Sequence, residues 1–481
     1  MDLSTELRRL LPRDAVIADP ASLSVYECDA LSAYRQPPKV VVLPRTADEV
    51  RAILRLCHRL RVPIVARGAG TGLSGGALPH AEGVLLSLTR LNRILHIDPV
   101  NRTATVEPGV RNTEISEAAA PHGLYYAPDP SSQIACTIGG NVAENSGGVH
   151  CLKYGLTLNN LLALTVMTIE GERLELGGQA LDAPGYDLLA LMTGSEGLLG
   201  VVTSVTVKLL PQPQAAQVLL AAFKRVEDAG NGVAAVIAAG IIPAGLEMMD
   251  RLAIEAAEDF VHAGYPLDAA AILLCEIDGH PAEIEAELAR VAEVLKAQGA
   301  TEVRMARDES ERQRFWTGRK AAFPAIGRIA PDYYCMDGTI PRRQLATVLS
   351  RISALSQEFG LAVANVFHAG DGNLHPLILY DANAPSQLER AEAFGGKILE
   401  VCVEAGGTIT GEHGVGVEKL NQMCVQFNTE ELEQFHAVKR AFDPDGLLNP
   451  GKAIPTLRRC AEFGALHVHA GKLPFPELER F

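Results

Sequence analysis

The ten residues Arg67-Gly-Ala-Gly-Thr-Gly-Leu-Ser-Gly-Gly76 contain five glycines and continue an apolar run, Ile64–Arg67, that predicts a β-strand. Glycine has no side chain and tolerates unusual backbone angles. The N–H groups of such a loop can therefore converge on an anion such as a pyrophosphate. A tight turn needs the same residues, so this loop alone leaves both interpretations open. It lacks Gly-Lys-Ser and Gly-Lys-Thr, so the phosphate loop of a nucleotide hydrolase is not indicated.

Two further glycine-rich segments lie in the first half of the chain. Residues 137–148 read TIGGNVAENSGG and offer backbone and amide donors with little side-chain bulk, so a flat group could lie against them. Residues 193–203 read TGSEGLLGVVT and lead into a predicted strand. Three independent turns in this order are harder to explain than one extended cradle. The pattern therefore predicts a dinucleotide site.

Around these segments, short apolar runs alternate with amphipathic helices up to about Pro213. In Thr46–Leu60, apolar residues recur at helical spacing behind a Thr-x-x-Glu capping signal. The segment PQPQ at 211–214 marks a break between domains, after which strands and helices alternate over a longer period, as in Ala270–Asp278 followed by Pro281–Gln298. An α+β fold is predicted, with a ferredoxin-like sheet in the second part.

Composition bounds the class of protein. A chain of 481 residues is long enough for two or three domains, and its net charge of −15 argues against a nucleic-acid partner. The longest apolar stretch, residues 232–246, contains Pro243 and is too short for a membrane span. Nine scattered cysteines form no Cys-x-x-Cys pair, so reduced thiols in a cytoplasmic protein are expected, without an iron–sulfur cluster. The first residues, MDLSTELRRLLPRD, do not have the pattern of a secretory signal.

The order RGAGTGLSGGA, TIGGNVAENSGG, GSEGLLGVVT is similar to the PCMH-type FAD-binding domain of the vanillyl-alcohol-oxidase family, in its D-2-hydroxy-acid dehydrogenase branch. In the second half, FWTGRKAAFPAIG, DYYCMDGTIPR, HAGDGNLHP, GEHGVGVEK and FDPDGLLNPGK most resemble the FAD-linked subunits of glycolate oxidases. The resemblance covers nearly the whole chain. It implies an FAD-binding domain of two α+β subdomains at 1–213, a ferredoxin-like antiparallel-sheet substrate (cap) domain at 214–425, and a helical segment at 426–481 that returns to the first domain.

The resemblance also implies non-covalent FAD. The residues it assigns to the cofactor are Arg67, Gly68, Ala69, Gly70, Thr71, Gly72, Ser74, Gly75, Ser131, Thr137, Gly139, Gly140, Asn141, Ala143, Asn145, Gly147, Gly148, Glu196, Gly200, Val201, Val202 and Asn449.

A metal site is predicted around HAGDGNLH. Apolar runs on both sides of a Gly-Asp-Gly turn predict a hairpin, on which His368 and His375 lie roughly opposite each other, close enough to bind one metal. A pair of hydrogen-bonded histidines would give the same pattern. Glu412, in GEHGVG, offers a third ligand. By resemblance, His368, His375 and Glu412 bind a divalent metal, for which Zn²⁺ or Mn²⁺ would be suitable.

The same resemblance implies a mechanism. The metal binds the α-hydroxyl and carboxylate oxygens of a 2-hydroxy acid, His413 takes the hydroxyl proton, and the α-hydrogen leaves as hydride to the flavin. Arg319 holds the substrate carboxylate and Lys320 is a weaker neighbour, although residues of these types are also common on a solvated helix face. Relatives that act on diacids tend to have lysine at the position of Cys335, so a small monoacid is favoured.

The function expected is oxidation of a small D-2-hydroxy acid, above all glycolate to glyoxylate. Without a cluster or haem motif the chain needs an electron acceptor, and the resemblance implies companion flavin-type and iron–sulfur subunits, with peripheral association at the membrane through them. The alternatives are a stand-alone D-lactate or D-2-hydroxyglutarate dehydrogenase, a metal-dependent hydrolase with purely structural glycine loops, and a non-catalytic subunit that retains the FAD fold.

Overall fold

The computed structural model describes residues 3–180 and 185–464, which form two compact units. The first unit holds residues 3–146, 156–212 (with the gap at 181–184) and 412–464; the second holds 147–155 and 213–411. These units are defined by how densely their residues pack, whereas the predicted domains follow the family pattern. The predicted boundaries at 213 and 425 therefore stay a prediction. The end of the predicted C-terminal segment, 465–481, lies outside the described residues, as does the His467-Val-His469 sequence.

The helices, in chain order, are α1 Leu3–Leu10, α2 Pro20–Leu23, α3 Ala47–Leu60, α4 Asn112–Ala119, α5 Ile138–Glu144, α6 Cys151–Tyr154, α7 Leu188–Met192, α8 Val226–Ala238, α9 Arg251–Val261, α10 Pro281–Ala297, α11 Glu309–Ile326, α12 Leu345–Phe359, α13 Gln387–Glu404, α14 Leu420–Gln426, α15 Thr429–Phe442 and α16 Leu457–Gly464. Short 3₁₀ turns lie at Arg13–Ala15, Ser24–Tyr26, Ala120–His122, Leu158–Asn160 and Arg342–Gln344.

The strands are β1 Val16–Ile17, β2 Val40–Val42, β3 Ile64–Arg67, β4 Val84–Ser87, β5 Ile94–Asp98, β6 Thr103–Val106, β7 Leu124–Tyr125, β8 Leu161–Met167, β9 Arg173–Gly177, β10 Val201–Lys208, β11 Leu210–Pro211, β12 Ala215–Phe223, β13 Gly245–Asp250, β14 Ala271–Gly279, β15 Glu302–Met305, β16 Asp332–Cys335, β17 Val363–Phe367 and β18 Pro376–Tyr380.

Two sheets build most of the first unit within the described residues. One has the order β1-β2-β4-β3, in which β2, β4 and β3 are parallel and β1 is antiparallel. Helix α3 begins at Thr46, whose side chain accepts a hydrogen bond from the backbone of Glu49, and it buries Val50, Ile53 and Leu54 in the core of this sheet. The other sheet is antiparallel, in the order β5-β6-β10-β8-β9.

The second unit is built on one antiparallel sheet, in the order β15-β12-β14-β13-β17-β18-β16. Its first four strands have the ferredoxin-like order, with β12 and β14 at the centre, and α8 and α10 pack together against them. Helices α9 and α11 cover the other face, where alternate residues such as Leu220 and Leu274 share a core with Phe315. The α+β prediction with a ferredoxin-like antiparallel sheet is therefore confirmed.

One expectation about the cysteines is wrong. Cys424 in α14 and Cys460 in α16 form a disulfide, with their Cα atoms 5.3 Å apart. They are separated by 36 residues, and only the packing of α14 against α16 brings them together. The other seven cysteines form no disulfide within the described residues, and six of them are buried.

In the described parts of the chain, no helix combines the length and the apolar character needed to cross a bilayer.

Candidate functional site

The first two glycine segments meet inside the first unit. A Cβ atom at Gly68 would lie 2.3 Å from Thr137 Oγ1, so only glycine allows the loop after β3 to approach this closely. Thr137 is the N-cap of α5 and accepts a hydrogen bond from the backbone N–H of Gly140. The sequence TIGG therefore begins a short helix directly beside the loop at 67–76.

The third glycine segment joins the same cluster through backbone hydrogen bonds. Gly194 N–H donates to the carbonyl of Val142 at 2.8 Å, and Glu196 N–H donates to the carbonyl of Ala143 at 2.8 Å. Asn449 then connects the segments, because its Nδ2 donates to the carbonyls of Glu196 (2.6 Å) and Gly76 (3.0 Å). Segments far apart in sequence thus converge within the first unit.

The carboxylate of Glu196 holds the segment that follows His413. Its Oε1 accepts from the N–H of Val415 and its Oε2 from the N–H of Gly416, both at 2.7 Å. Burial raises the pKa of Glu196, and these two N–H donors act in the opposite direction. At Gly416 the backbone φ is +52° and a Cβ would lie 2.1 Å from the carbonyl oxygen of Ser74, so the turn requires glycine.

The other residues predicted to bind the cofactor lie at several different places in the structure. Arg67 donates to the carbonyl of Cys28 at 2.6 Å, and Ser131 is exposed on the loop before Thr137. Gly147 and Gly148 belong to the second unit. The remaining predicted residues of the first unit lie on the loop after β3, along or just after α5, and at the start of β10: Ala69, Gly70, Thr71, Gly72, Ser74, Gly75, Gly139, Asn141, Ala143, Asn145, Gly200, Val201 and Val202.

In the second unit the predicted histidine hairpin forms. Strands β17 and β18 are antiparallel, with Asn365 opposite Pro376, and an isolated bridge pairs His368 with Asn373. His375 is therefore diagonal to His368 rather than directly opposite. The two imidazole rings still lie 5.0 Å apart between centroids, nearly perpendicular, and both side chains are buried.

Glu247 binds both His368 and Arg319. Its Oε1 is 2.9 Å from His368 Nδ1, and its Oε2 is 2.6 Å from Arg319 Nη2. The three side chains are 4% exposed or less. Burial acts to raise the pKa of Glu247, but the positive charges of His368 and Arg319 outweigh it and hold that pKa below its usual range. The glutamate is therefore an anion that joins a predicted metal ligand to the predicted carboxylate-binding arginine.

Asp337 lies beside the other histidine. One of its oxygens is 3.5 Å from His375 Nε2, and the other accepts from Thr410 Oγ1 (2.6 Å) and from the N–H of Gly411 (3.0 Å). Gly411 is the last residue of the second unit. Glu412 and His413 follow it directly and belong to the first unit; both are half-buried.

A second buried glutamate has similar partners on the neighbouring strand β14. Glu276 binds His150 Nε2 (3.0 Å), Arg312 Nη1 (2.9 Å) and Trp316 Nε1 (2.6 Å). Burial acts to raise its pKa, yet the hydrogen bonds and charges of these partners bring it below the usual 4.5. Trp316 is a core residue. Lys320, by contrast, is exposed, whereas Arg319 beside it on α11 is 2% exposed.

These arrangements fit the expected cofactors. The glycine segments leave little bulk, and Ser74 Oγ is buried with no hydrogen-bond partner among the described residues, so it can donate to a bound group. Arg319 Nε is likewise buried without an acceptor in the described part of the chain, which suits a carboxylate ligand. Two imidazoles, one of which donates a hydrogen bond from its Nδ1–H to a carboxylate, form a ligand set that divalent transition metals prefer.

Sequence reasoning missed two residues at this site. Glu247 stands in the apolar strand sequence GLEMMD, and a single acid in such a run was an available signal of a buried pair. For Asp337, in CMDG, the only sequence feature that could have pointed to a site residue is the glycine that follows it.

Comparison with known proteins gives two family matches. Residues 38–177 match the FAD binding domain, and residues 212–453 match the C-terminal domain of FAD linked oxidases. The glycolate oxidase subunit GlcD of Escherichia coli (strain K12) is 67% identical over 475 residues, which cover 99% of this chain and 95% of that protein. A D-lactate dehydrogenase of Archaeoglobus fulgidus is 36% identical over 87% of this chain and 92% of its own length.

A solved structure with the same fold is p-cresol methylhydroxylase with substrate bound. It is superimposable with a TM-score of 0.80 and 18% identity, over 95% of this chain and 96% of that chain. At that identity the likeness concerns the fold, and it confirms the predicted PCMH-type FAD-binding architecture.

Proposed function

The chain belongs to the FAD-linked oxidases, in the group that contains the glycolate oxidase subunits, and from this premise we propose that it oxidises glycolate to glyoxylate. As a member of that group it is an FAD-dependent hydroxy-acid oxidoreductase. The single observation that carries the choice of a hydroxy acid is the buried cluster of Arg319, Glu247 and His368, with His375 beside it. In this cluster an arginine that can bind a carboxylate lies beside two histidines that can bind a metal.

When bound, FAD supplies a two-electron acceptor, and a divalent cation supplies a Lewis acid that lowers the pKa of a hydroxyl group. His368 and His375, with Glu412, would hold the cation. The inclusion of Glu412 rests on the resemblance of GEHGVG to the family pattern.

The remaining steps fall to residues of this chain. Arg319 binds the substrate carboxylate through Nε, because its Nη2 is already paired with Glu247. His413 accepts the hydroxyl proton, and its loop is fixed by the bonds from Val415 and Gly416 to Glu196. Lys320, exposed on α11, contributes less to substrate binding.

A small substrate is supported by the apolar surroundings of His375. The ring of Phe323 lies edge-on to His375, with centroids 6.3 Å apart, and against Tyr333 at 6.1 Å. Cys335 is buried and pairs across the sheet with Leu377. Phe323, Tyr333 and Cys335 carry no positive charge, so they offer no partner for a second substrate carboxylate. Glycolate or D-lactate is therefore favoured over a diacid.

The electrons must leave the reduced flavin. None of the nine cysteines has the spacing of an iron–sulfur cluster, and one pair forms a disulfide. The relative from E. coli is named as a subunit. We therefore expect companion flavin-type and iron–sulfur subunits, and a cytoplasmic chain that reaches the membrane surface through them.

Anaerobic mixing of the purified chain with glycolate, D-lactate or D-2-hydroxyglutarate tests this function. Bleaching of the visible flavin band is expected, fastest with glycolate, and it should depend on added Zn²⁺ or Mn²⁺ after chelation. Faster bleaching by D-lactate or D-2-hydroxyglutarate would favour a stand-alone dehydrogenase. A colourless protein that FAD cannot reconstitute would overturn the proposal and leave a metal-dependent hydrolase. Loss of flavin reduction in His413→Ala would exclude the non-catalytic alternative.

A further inference from the structure

The carboxylate of Glu247 divides its two oxygens between two functional side chains. Oε1 is 2.9 Å from His368 Nδ1 and Oε2 is 2.6 Å from Arg319 Nη2. The side chain of Glu247 is 1% exposed. A single buried anion is thus in contact with the imidazole of His368, directly after β17, and with the guanidinium of Arg319 on α11.

The sheet register produces this contact. Strands β13 and β17 are antiparallel with Met248 opposite Phe367, and continuing the pairing by one residue places Glu247 opposite His368. Opposite residues project from the same face of a sheet, here the face covered by α9 and α11. Arg319 on α11 therefore approaches the same carboxylate from above the sheet.

A buried ion pair is a weak source of stability. Transfer of a carboxylate from water to the interior is unfavourable, and apolar residues of similar volume often stabilise a fold as well or better. Core packing alone therefore does not account for Glu247. A role in orienting its two partners does account for it, because Glu247 contacts one nitrogen of each, Nδ1 of His368 and Nη2 of Arg319.

We propose that Glu247 is a positioning residue that sets His368 for metal binding and Arg319 for carboxylate binding at once. This inference rests on the proposed function. With Nδ1–H donated to Glu247, His368 presents its Nε2 to a cation, and the cation replaces the proton that Nε2 carries in the charged form of the ring. The ion pair of Nη2 with Glu247 holds the guanidinium of Arg319 at this carboxylate and leaves the buried Nε available for the substrate.

The chain offers a matched control. Glu276 is also buried between a histidine, His150, and an arginine, Arg312, and it lies on the neighbouring strand, where Gly245 pairs with Glu276. Its side-chain partners in the described part of the chain, His150, Arg312 and Trp316, are not among the predicted metal or substrate residues. Glu276→Gln removes an equivalent charge from the same layer, so it measures the purely structural cost.

The experiment compares FAD-loaded wild type, Glu247→Gln, Glu247→Asp and Glu276→Gln after chelation. Mn²⁺ affinity is measured by electron paramagnetic resonance, and KM and kcat for glycolate are measured separately. Glu247→Gln should bind Mn²⁺ about 10- to 100-fold more weakly, as when the outer partner of a metal-bound histidine is lost. It should also raise KM. Glu247→Asp should restore part of both, and Glu276→Gln should alter neither.

Mn²⁺ affinity and KM in Glu247→Gln equal to those of Glu276→Gln would overturn the positioning role. If Glu247→Gln does not fold, the same comparison is made with Glu247→Asp, whose shorter side chain cannot hold both partners as closely. Failure of the proposed function has a different result: wild type itself would bind no Mn²⁺ or would show no bleaching with any 2-hydroxy acid.

Discussion

Glu196 Oε2 accepts a hydrogen bond from the backbone N–H of Gly416 at 2.7 Å, although the two residues are 220 positions apart in the sequence. The partner oxygen binds Val415 in the same way. The resemblance assigns Glu196 to the cofactor, but its carboxylate is used to fix the turn after His413. A residue of the glycine-rich third segment thereby controls the shape of the segment that contains the predicted base.

Glu196→Gln should loosen this turn. Glutamine offers one oxygen and one NH₂ group, so one of the two backbone N–H groups loses its acceptor, at a cost of about 1–3 kcal/mol. We expect a lower melting temperature and faster amide hydrogen exchange within 413–419, measured by mass spectrometry. Glu117→Gln, an exposed change in the same unit, should alter neither. Unchanged exchange in Glu196→Gln would show that the turn is held by other contacts.

Gly68→Ala should weaken flavin binding. The new Cβ would lie 2.3 Å from Thr137 Oγ1, so the first two glycine segments must separate, which costs about 1–3 kcal/mol. The flavin content of the purified protein and its affinity for added FAD measure the effect. Gly178→Ala is the control, because nothing lies within 4 Å of its Cβ position. Equal flavin content in the two variants would contradict the close approach.

Arg319→Lys should raise KM for glycolate more than it lowers kcat. The substitution keeps the charge but removes Nε and the planar fork, and a hydrogen bond to a charged group contributes about 1.5–3 kcal/mol. That corresponds to roughly a 10- to 100-fold change in KM. Steady-state kinetics checks this, with Arg314→Lys, exposed on the same helix, as the control. A KM equal to that of the control would remove Arg319 from substrate binding.

Glu276→Gln should change the dependence of stability on pH. Because the folded pKa of Glu276 is below 4.5, its ionised form stabilises the fold at higher pH, and this contribution is lost as pH falls through the folded pKa. His150, Arg312 and Trp316 are the partners concerned. The difference in unfolding free energy between wild type and variant, about 3 kcal/mol or more near neutral pH, should shrink on acidification. Denaturation at a series of pH values measures it, and a difference independent of pH would contradict the assignment.

The Cys424–Cys460 disulfide predicts a thiol count. Alkylation of the denatured protein without reductant should label seven of the nine cysteines, and mass spectrometry should recover the two peptides linked. Prior reduction should raise the count to nine and lower the melting temperature, since a disulfide typically contributes about 2–4 kcal/mol. Nine labelled thiols without reductant would show that the pair is reduced in the purified protein.

The fold and much of the candidate site could be predicted because their signals are local. Apolar spacing gave α3 and α10, and the strand before Gly68 follows from four consecutive residues. His368 and His375 are close because a hairpin of neighbouring strands brings them together. The three glycine segments could be interpreted together, as one predicted dinucleotide site, because such a site needs little more than small residues in the right order.

The sequence by itself determined the α+β class, the three glycine-rich segments and the histidine hairpin, since each depends on backbone preferences within a few residues. Only the tertiary structure decided which charges meet. Glu247 reaches His368 across 121 residues, and Glu196 reaches Gly416 across 220. No spacing in the sequence predicts either pairing, because one depends on the register of paired strands that are far apart in the sequence and the other on the packing of one segment over another. A buried carboxylate is stable only where such packing supplies its partners, so these contacts exist only once the chain has folded.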